Sequence, residues 1–74
     1  MTTAQATNKD VRAARMAAGL AQEALAMRLG ISRPTVVWYE RYGRPLPRGI
    51  TAAEALAAIA DLVAEGGSTA PSSS

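Results

Sequence analysis

The sequence contains no cysteine and no histidine among its 74 residues. Their absence excludes disulfide frameworks, cysteine and histidine zinc sites, and thiol chemistry. The six carboxylates are scattered along the chain, and there is no glycine-rich loop of the kind that cradles phosphates. We therefore expect neither an enzyme nor a protein that needs a metal or cofactor, and the lack of cysteine fits a cytoplasmic location.

Long apolar runs are also missing. The apolar stretches are rich in alanine and interrupted by charges, far short of the ~20 residues that a transmembrane helix needs. The first ten residues, MTTAQATNKD, lack the basic start and the apolar segment of a secretory signal. We expect no membrane segment, a flexible arm over residues 1–7, and a disordered glycine- and serine-rich tail over residues 66–74.

Residues 8–65 remain to build one small domain. A domain of this size buries only about 60% of its unfolded surface, so its stability depends on regular helix packing or on oligomerisation. No alternating run of valine, isoleucine or threonine indicates a strand. The sequence predicts a compact all-α fold of four helices, with a fifth left open.

Capping residues and glycines set the predicted helix boundaries. Thr7 with Asp10 and Thr51 with Glu54 have the spacing of capping boxes, and Ser32 is a good N-cap. The loop GRPLPRG over residues 43–49 cannot continue a helix. The predicted helices run from Asn8 or Lys9 to Ala18, from Ala21 to Leu29, from Arg33 to Tyr42, and from Ala52 to Glu65.

Charge is distributed unevenly along the chain. Residues 28–48 hold five arginines and one glutamate, a net charge of 5 − 1 = +4. Residues 49–74 hold three acidic residues and no basic one, a net charge of −3. The basic segment suggests a polyanionic partner, and a solvated arginine-rich loop is the alternative.

The segment Ala21 to Glu40, AQEALAMRLGISRPTVVWYE, joins two short helices through a turn that holds a glycine, which is the helix-turn-helix arrangement. Ala26 is small enough for the two helices to approach closely, and Gly30 makes the turn. The apolar positions that fill the space beneath the crossing are Leu25, Leu29, Ile31 and Val36.

This segment resembles the Cro and phage-repressor (XRE-like) type of helix-turn-helix domain, and the likeness extends over about Val11 to Glu40. The resemblance implies a lambda-repressor-like domain in a bacterial or phage-encoded protein that binds operator DNA, commonly as a homodimer on a pseudo-palindrome. Ala21 departs from the family's usual capping residue, Tyr39 replaces an aliphatic residue, and the loop over residues 41–50 is longer. The matching positions are Arg15, Gly19, Leu20, Gln22, Leu25, Ala26, Leu29, Gly30, Ile31, Ser32 and Glu40.

The third helix, residues 33–42, is the expected reading helix in the major groove. Arg33 can donate a bidentate pair of hydrogen bonds to guanine, and Val37 can contact a thymine methyl group. An exposed Arg33 without a base contact is the alternative, and Trp38 could equally be a core anchor. The base-reading candidates are Arg33, Pro34, Thr35, Val37 and Trp38.

A second set of residues is expected to contact backbone phosphates, which position a protein on DNA without reading sequence. The resemblance assigns Gln22 to this role, and the N-terminus of its helix favours an anion as well. For Arg44 and Arg48, simple solvation is the alternative. The phosphate candidates are Gln22, Ser32, Arg41, Tyr42, Arg44 and Arg48.

Two further groups have expected structural roles. The resemblance implies an ion pair between Arg15 and Glu40, across the first and third helices. The last helix carries an apolar stripe that could close the core or form a dimer surface, and both readings stay open. The dimer candidates on this stripe are Leu56, Ile59, Leu62 and Val63.

Two functions compete at this point. The first is a Cro-like repressor that binds double-stranded DNA as a homodimer through the helix 33–42. The second is an antitoxin or small adaptor that uses the same fold to hold a protein partner, with or without binding its own promoter. The second function predicts that the exposed face of residues 52–65 matters more than Arg33.

Overall fold

The computed structural model describes residues 5–66, which form four α-helices and one turn of 3-10 helix at Pro47–Gly49. No strand occurs in this range, and the all-α prediction is confirmed. Residues 1–4 of the predicted arm and residues 67–74 of the predicted tail lie outside the described residues. The helices are α1 (Asn8–Ala17), α2 (Gln22–Leu29), α3 (Arg33–Tyr42) and α4 (Ala52–Ala64).

Local capping chemistry explains where the helices begin. The Thr7 backbone N–H donates to the Asp10 carboxylate at 2.9 Å, and the Asp10 N–H donates back to the Thr7 hydroxyl. Thr51 and Glu54 form the same reciprocal pair at the start of α4. The predicted boundaries of α1, α2 and α4 are each wrong by one residue at one end. The extra residue is a cap in each case: Ala18 is the C-cap of α1, Ala21 is the N-cap of α2, and Glu65 is the C-cap of α4.

The core lies where α4 closes over α1 and α2, while α3 packs against α1 and α2 on the other side. Ile59 is only 5% exposed and belongs to this core, so its assignment to the dimer surface is wrong. No helix in the described part of the chain is long and apolar enough to cross a membrane. The buried apolar residues are Val11, Leu20, Leu25, Ala26, Val36, Tyr39, Leu46, Ala55, Ala58 and Ile59.

Tyr39 takes the core position of α3 that an aliphatic residue would otherwise fill, and it is 8% exposed. Burial raises the pKa of the Tyr39 hydroxyl above its usual value of 10, and the negative charges of Asp10 and Glu40 raise it further. The neutral phenol is therefore the form that the fold accommodates.

An ion pair joins α1 to α3. The Arg15 guanidinium donates from Nε to Glu40 Oε2 at 2.7 Å and from Nη2 to Oε1 at 3.0 Å, with the carboxylate side chain 2% exposed. Arg15 Nη1 also donates to the Leu20 carbonyl at 2.7 Å, and Gln22 Nε2 donates to Glu40 Oε1 at 3.2 Å. All three helices that precede the long loop thus meet at one buried carboxylate.

Replacing Glu40 by alanine should lower the free energy of unfolding by about 3–5 kcal/mol, because the Arg15 charge stays buried without its counterion. Urea denaturation followed by circular dichroism measures this loss. Glu65→Ala is the matched control, since its carboxylate pairs with Arg28 in solvent and its removal should leave the midpoint unchanged. If Glu40→Ala does not fold, the apolar pair Arg15→Met with Glu40→Leu should restore folding. Equal midpoints for both alanine variants would contradict the structural role of the pair.

The raised pKa of Tyr39 predicts a stability loss at high pH. The contribution is fully present below pH ~10, the pKa of the unfolded tyrosine, and is lost as pH rises through the higher pKa of the folded state. Tyr39→Phe should abolish this part of the pH dependence and change stability little at neutral pH. Unfolding curves of both proteins from pH ~9 upward test this. If the stability of both proteins fell equally with rising pH, the prediction would be contradicted.

Candidate nucleic-acid interface

The helix-turn-helix unit is α2, the turn at residues 30–32, and α3. Gly30 has a φ of 71°, a left-handed conformation that costs glycine nothing, and the Ile31 N–H donates to the Ala26 carbonyl at 2.9 Å. Ala26 is buried at the crossing, and Ser32 caps α3 by accepting from the Thr35 N–H. The turn is therefore fixed by backbone hydrogen bonds, and α3 has a defined direction relative to α2.

The side of α3 that faces away from the core carries the base-reading candidates. Arg33, Pro34 and Trp38 are exposed, and Val37 is half-buried beside α1. Trp38 is 51% exposed, so it is not the core anchor that its size could have made it. The fifth candidate, Thr35, is half-buried, and its hydroxyl lies 2.7 Å from the Ser32 hydroxyl, which engages both groups locally.

Two arginines that follow the centre of α3 lie against aromatic rings. The Arg44 guanidinium carbon is 5.8 Å from the centroid of the Trp38 ring, and that of Arg41 is 5.9 Å from the Tyr42 ring. Both distances are within the range of cation–π attraction. The contact with Trp38 brings Arg44, a cation of the loop after α3, to the exposed side of α3.

The N-terminus of α2 carries Gln22, whose amide is anchored on Glu40 as described above. Ala21, in the N-cap position, makes no side-chain cap. No cap side chain therefore bonds the first backbone N–H groups of α2, although the Ala24 N–H donates to the Ala21 carbonyl at 3.1 Å, and the partial positive charge of this helix end favours an anion. The missing side-chain cap weakens the start of α2.

Arg48 differs from the other loop arginine because its side chain is bound within the domain. Its Nη2 donates to the carbonyls of Leu29 at 3.0 Å and of Gly30 at 2.8 Å, at the C-terminus of α2. Its backbone is left-handed, with a φ of 60°, which is unfavourable for any residue other than glycine. These contacts explain why that conformation persists, and they leave only the remaining guanidinium N–H groups for a phosphate.

Two cations that the sequence did not single out, Lys9 and Arg12, line an open groove between α1 and α3. The groove has a volume of about 630 Å³, and Arg41 lines it from the α3 side. The signal was present in the sequence, since the two cations are three residues apart and therefore share a face of α1. The remaining lining residues are Ala13, Gln22, Val37 and Glu40.

Apolar side chains are also exposed on α2 and α4. Met27 is 74% exposed and Val63 is 53% exposed. A shallow groove between α2 and α4 is lined by Ala24, Met27, Arg28 and Leu62. Arg28 pairs with Glu65 at the margin of this groove, and the hydrogen bond to that carboxylate is the main cause that raises the pKa of Arg28. Of the dimer candidates, Val63 is the exposed one, and Leu56 and Leu62 are half-buried.

Among residues 5–66, no three metal-binding side chains come together. A family model described as a helix-turn-helix domain matches residues 10–70, which include α2, α3, α4 and most of α1. No curated protein and no solved structure gave a significant match to the chain. Because the family match covers most of the sequence and the α2–turn–α3 geometry is the one that defines such domains, the chain belongs to the helix-turn-helix domain family, which agrees with the XRE-like resemblance.

Proposed function

We propose that the chain is a sequence-specific transcriptional regulator that lays α3 in the major groove of operator DNA. The observation that carries the proposal is the division of α3 into two faces. One face is held in the core by Val36, Tyr39 and the buried Glu40, and the other presents Arg33 and Trp38 to solvent. A reading helix needs both, because side chains discriminate base edges only when the helix axis is rigidly oriented.

Base reading is assigned to the exposed face. Arg33, in the first turn of α3, donates a bidentate pair to the O6 and N7 atoms of a guanine. Pro34 and the indole ring of Trp38 offer apolar surface to thymine methyl groups, and Pro34 has no N–H to donate. With one charged reader, part of the specificity comes from the shape and deformability of the DNA.

Phosphate contacts are assigned to the groups around this face. The candidates are Gln22 at the N-terminus of α2, the exposed Arg41 and Tyr42 at the end of α3, and Arg44 in the loop after it. The Ser32 hydroxyl, at the start of α3, also bonds Thr35, so it can contribute one further contact at most. Arg48 contributes less, because two of its hydrogen bonds already go to carbonyls at the end of α2. Each phosphate that is neutralised steepens the fall of log K with log salt concentration by about 0.9.

We further infer that the regulator is a Cro-like repressor that binds a pseudo-palindromic site as a homodimer. The exposed Val63, with Leu56 and Leu62 half-buried beside it, supports a contact between two α4 helices. A two-fold dimer would hold its reading helices about 34 Å apart, one turn of DNA. The same apolar surface, together with Met27, supports the second candidate, an antitoxin or adaptor that holds a protein partner there.

Arg33→Ala should relax specificity at one base position of the site. We expect a 5- to 150-fold loss on the selected sequence, equivalent to about 1–3 kcal/mol, and a much smaller loss on unrelated DNA. Binding titrations on both duplexes, after selection of a site from a random pool, measure the two losses. Arg28→Ala is the control that removes the same charge from the exposed end of α2. An equal loss on every sequence would make Arg33 a phosphate contact.

Selection from a random pool should return an inverted repeat with half-site centres about 10 base pairs apart. Val63→Glu should then weaken binding to the full site and leave binding to a half-site unchanged, because it breaks the dimer only. Ala57→Glu, also on the exposed part of α4, is the matched control and should change neither. A single, non-repeated motif with no effect of Val63→Glu would refute the dimer. Failure to enrich any motif would favour the partner-binding candidate.

A further inference from the structure

The groove between α1 and α3 has a volume of about 630 Å³ and brings residues of α1 beside the exposed side of α3. Its walls come from two helices, with Lys9 and Arg12 on α1 and Arg41 on α3. These three side chains are exposed, and none of them forms an ion pair within residues 5–66. Three cations thus meet at one opening without a counterion from the described part of the chain.

The acidic residue in the lining does not cancel this charge. The negative charge of Glu40 is balanced by the Arg15 guanidinium, which donates two hydrogen bonds to it, and Glu40 accepts a third from Gln22. The groove therefore has a net charge close to +3, above a buried ion pair that contributes almost no net charge. Gln22 adds a hydrogen-bond donor, because only one of its two amide N–H groups is bound to Glu40.

The rest of the lining is apolar. Val37 from α3 and Ala13 from α1 supply its apolar surface. A site for a free inorganic anion would be polar throughout, whereas a nucleotide unit has a charged phosphate attached to a largely apolar deoxyribose. The combination of cations and an apolar wall in one groove matches a segment of sugar-phosphate backbone.

We propose that this groove binds one backbone phosphate of the DNA strand beside α3, with the attached sugar packed on Val37 and Ala13. This inference rests on the proposed function and extends it to residues of α1. Val37 then contacts deoxyribose and does not read a thymine methyl group.

The arrangement of α3 supports this position for the strand. A helix in the major groove has a phosphate backbone on each side. Val37 and Trp38 are about 100° apart around the helix axis, so they border different sides of α3. Trp38 carries the Arg44 guanidinium on its side, and Val37 borders the groove with Lys9, Arg12 and Arg41 on the other. Each side of α3 thus has cations that can contact the phosphates of the DNA strand on that side: Arg44 on one side, and Lys9, Arg12 and Arg41 on the other.

The test is the salt dependence of DNA binding by the full chain with Lys9→Gln and Arg12→Gln combined. Loss of one phosphate contact should flatten the slope of log K against log salt by about 0.9. We expect affinity to fall roughly tenfold on the selected and on unrelated duplexes alike, with base preferences unchanged, as for a phosphate contact. Arg12→Gln alone is compared with Arg28→Gln, which removes an equal charge outside the groove and should leave the slope unchanged.

A second measurement locates the phosphate. Duplexes of the selected sequence, each with one phosphate replaced by a neutral methylphosphonate, are titrated with the unmodified protein and with the double variant. At one position in each half-site the replacement should weaken the unmodified protein and have no further effect on the double variant. Additive losses at every position would overturn the groove site, as would an unchanged salt slope.

The outcomes separate the two levels of the proposal. If the unmodified protein binds no duplex, the proposed function fails and the groove assignment fails with it. If it binds with a steep salt slope that the double variant keeps, only the groove assignment fails. A site for free phosphate would instead appear as a rise in melting temperature with millimolar inorganic phosphate that the double variant loses, without any change in DNA binding, and that result also overturns the proposal. Lys9 and Arg12 are exposed, so the melting temperature without phosphate should be unchanged and serves as the folding control.

Discussion

The buried carboxylate of Glu40 fixes the orientation of α3 in the domain. Arg15 reaches it from α1 and Gln22 reaches it from α2, while Arg15 also holds the Leu20 carbonyl between those helices. Asn8 adds a hydrogen bond to the backbone carbonyl of Glu40 at 3.1 Å. Because the charges are desolvated, their net contribution to stability is small, and their geometry matters more than their energy. Rotation of α3 about its axis would break all of these contacts together, so the exposed face has one orientation.

The sequence predicted the features that depend on neighbouring residues, such as helix ends. It predicted less well which side chains are buried, because burial depends on segments that are distant in the sequence. Helix boundaries were correct to within one residue, because capping boxes and left-handed glycines act over three or four residues. Ile59 and Val63 are both apolar at helical spacing on α4, and only the positions of α1 and α2 determine which of them is covered. The same holds for Trp38, whose exposure depends on Tyr39 filling the core beside it. Lys9 and Arg12 were overlooked because their significance depends on α3, some 25 residues farther along the chain.

The long loop after α3 shows that residues of one type within a single charged segment can have different roles. Arg44 lies on the Trp38 ring at the exposed side, whereas Arg48 turns back onto the C-terminus of α2. The left-handed backbone of Arg48 costs about 1–2 kcal/mol, and hydrogen bonds from a charged donor to two carbonyls at the negative end of a helix offset it. Leu46 is buried between these two arginines. The loop is therefore anchored at three points, and its unusual length does not leave α4 free of the helix-turn-helix unit.

The candidate interface holds more cations for phosphates than charged side chains for bases. Arg33 is the only charged side chain among the base-reading candidates, and the hydroxyls of Ser32 and Thr35 are bound to each other. The cations on the two flanks outnumber it, with Arg44 on one side and Lys9, Arg12 and Arg41 on the other. Under the proposed function, electrostatic attraction to phosphates would supply most of the affinity for DNA, and few contacts would discriminate between sequences. A large exposed Trp38 fits this balance, because an indole ring contributes apolar contact area and shape recognition where hydrogen-bonding readers are scarce. Under the proposed function, a two-fold dimer would double the surface that contacts bases, which is the most direct way for a domain with one charged base-reading candidate to reach the specificity that an operator requires.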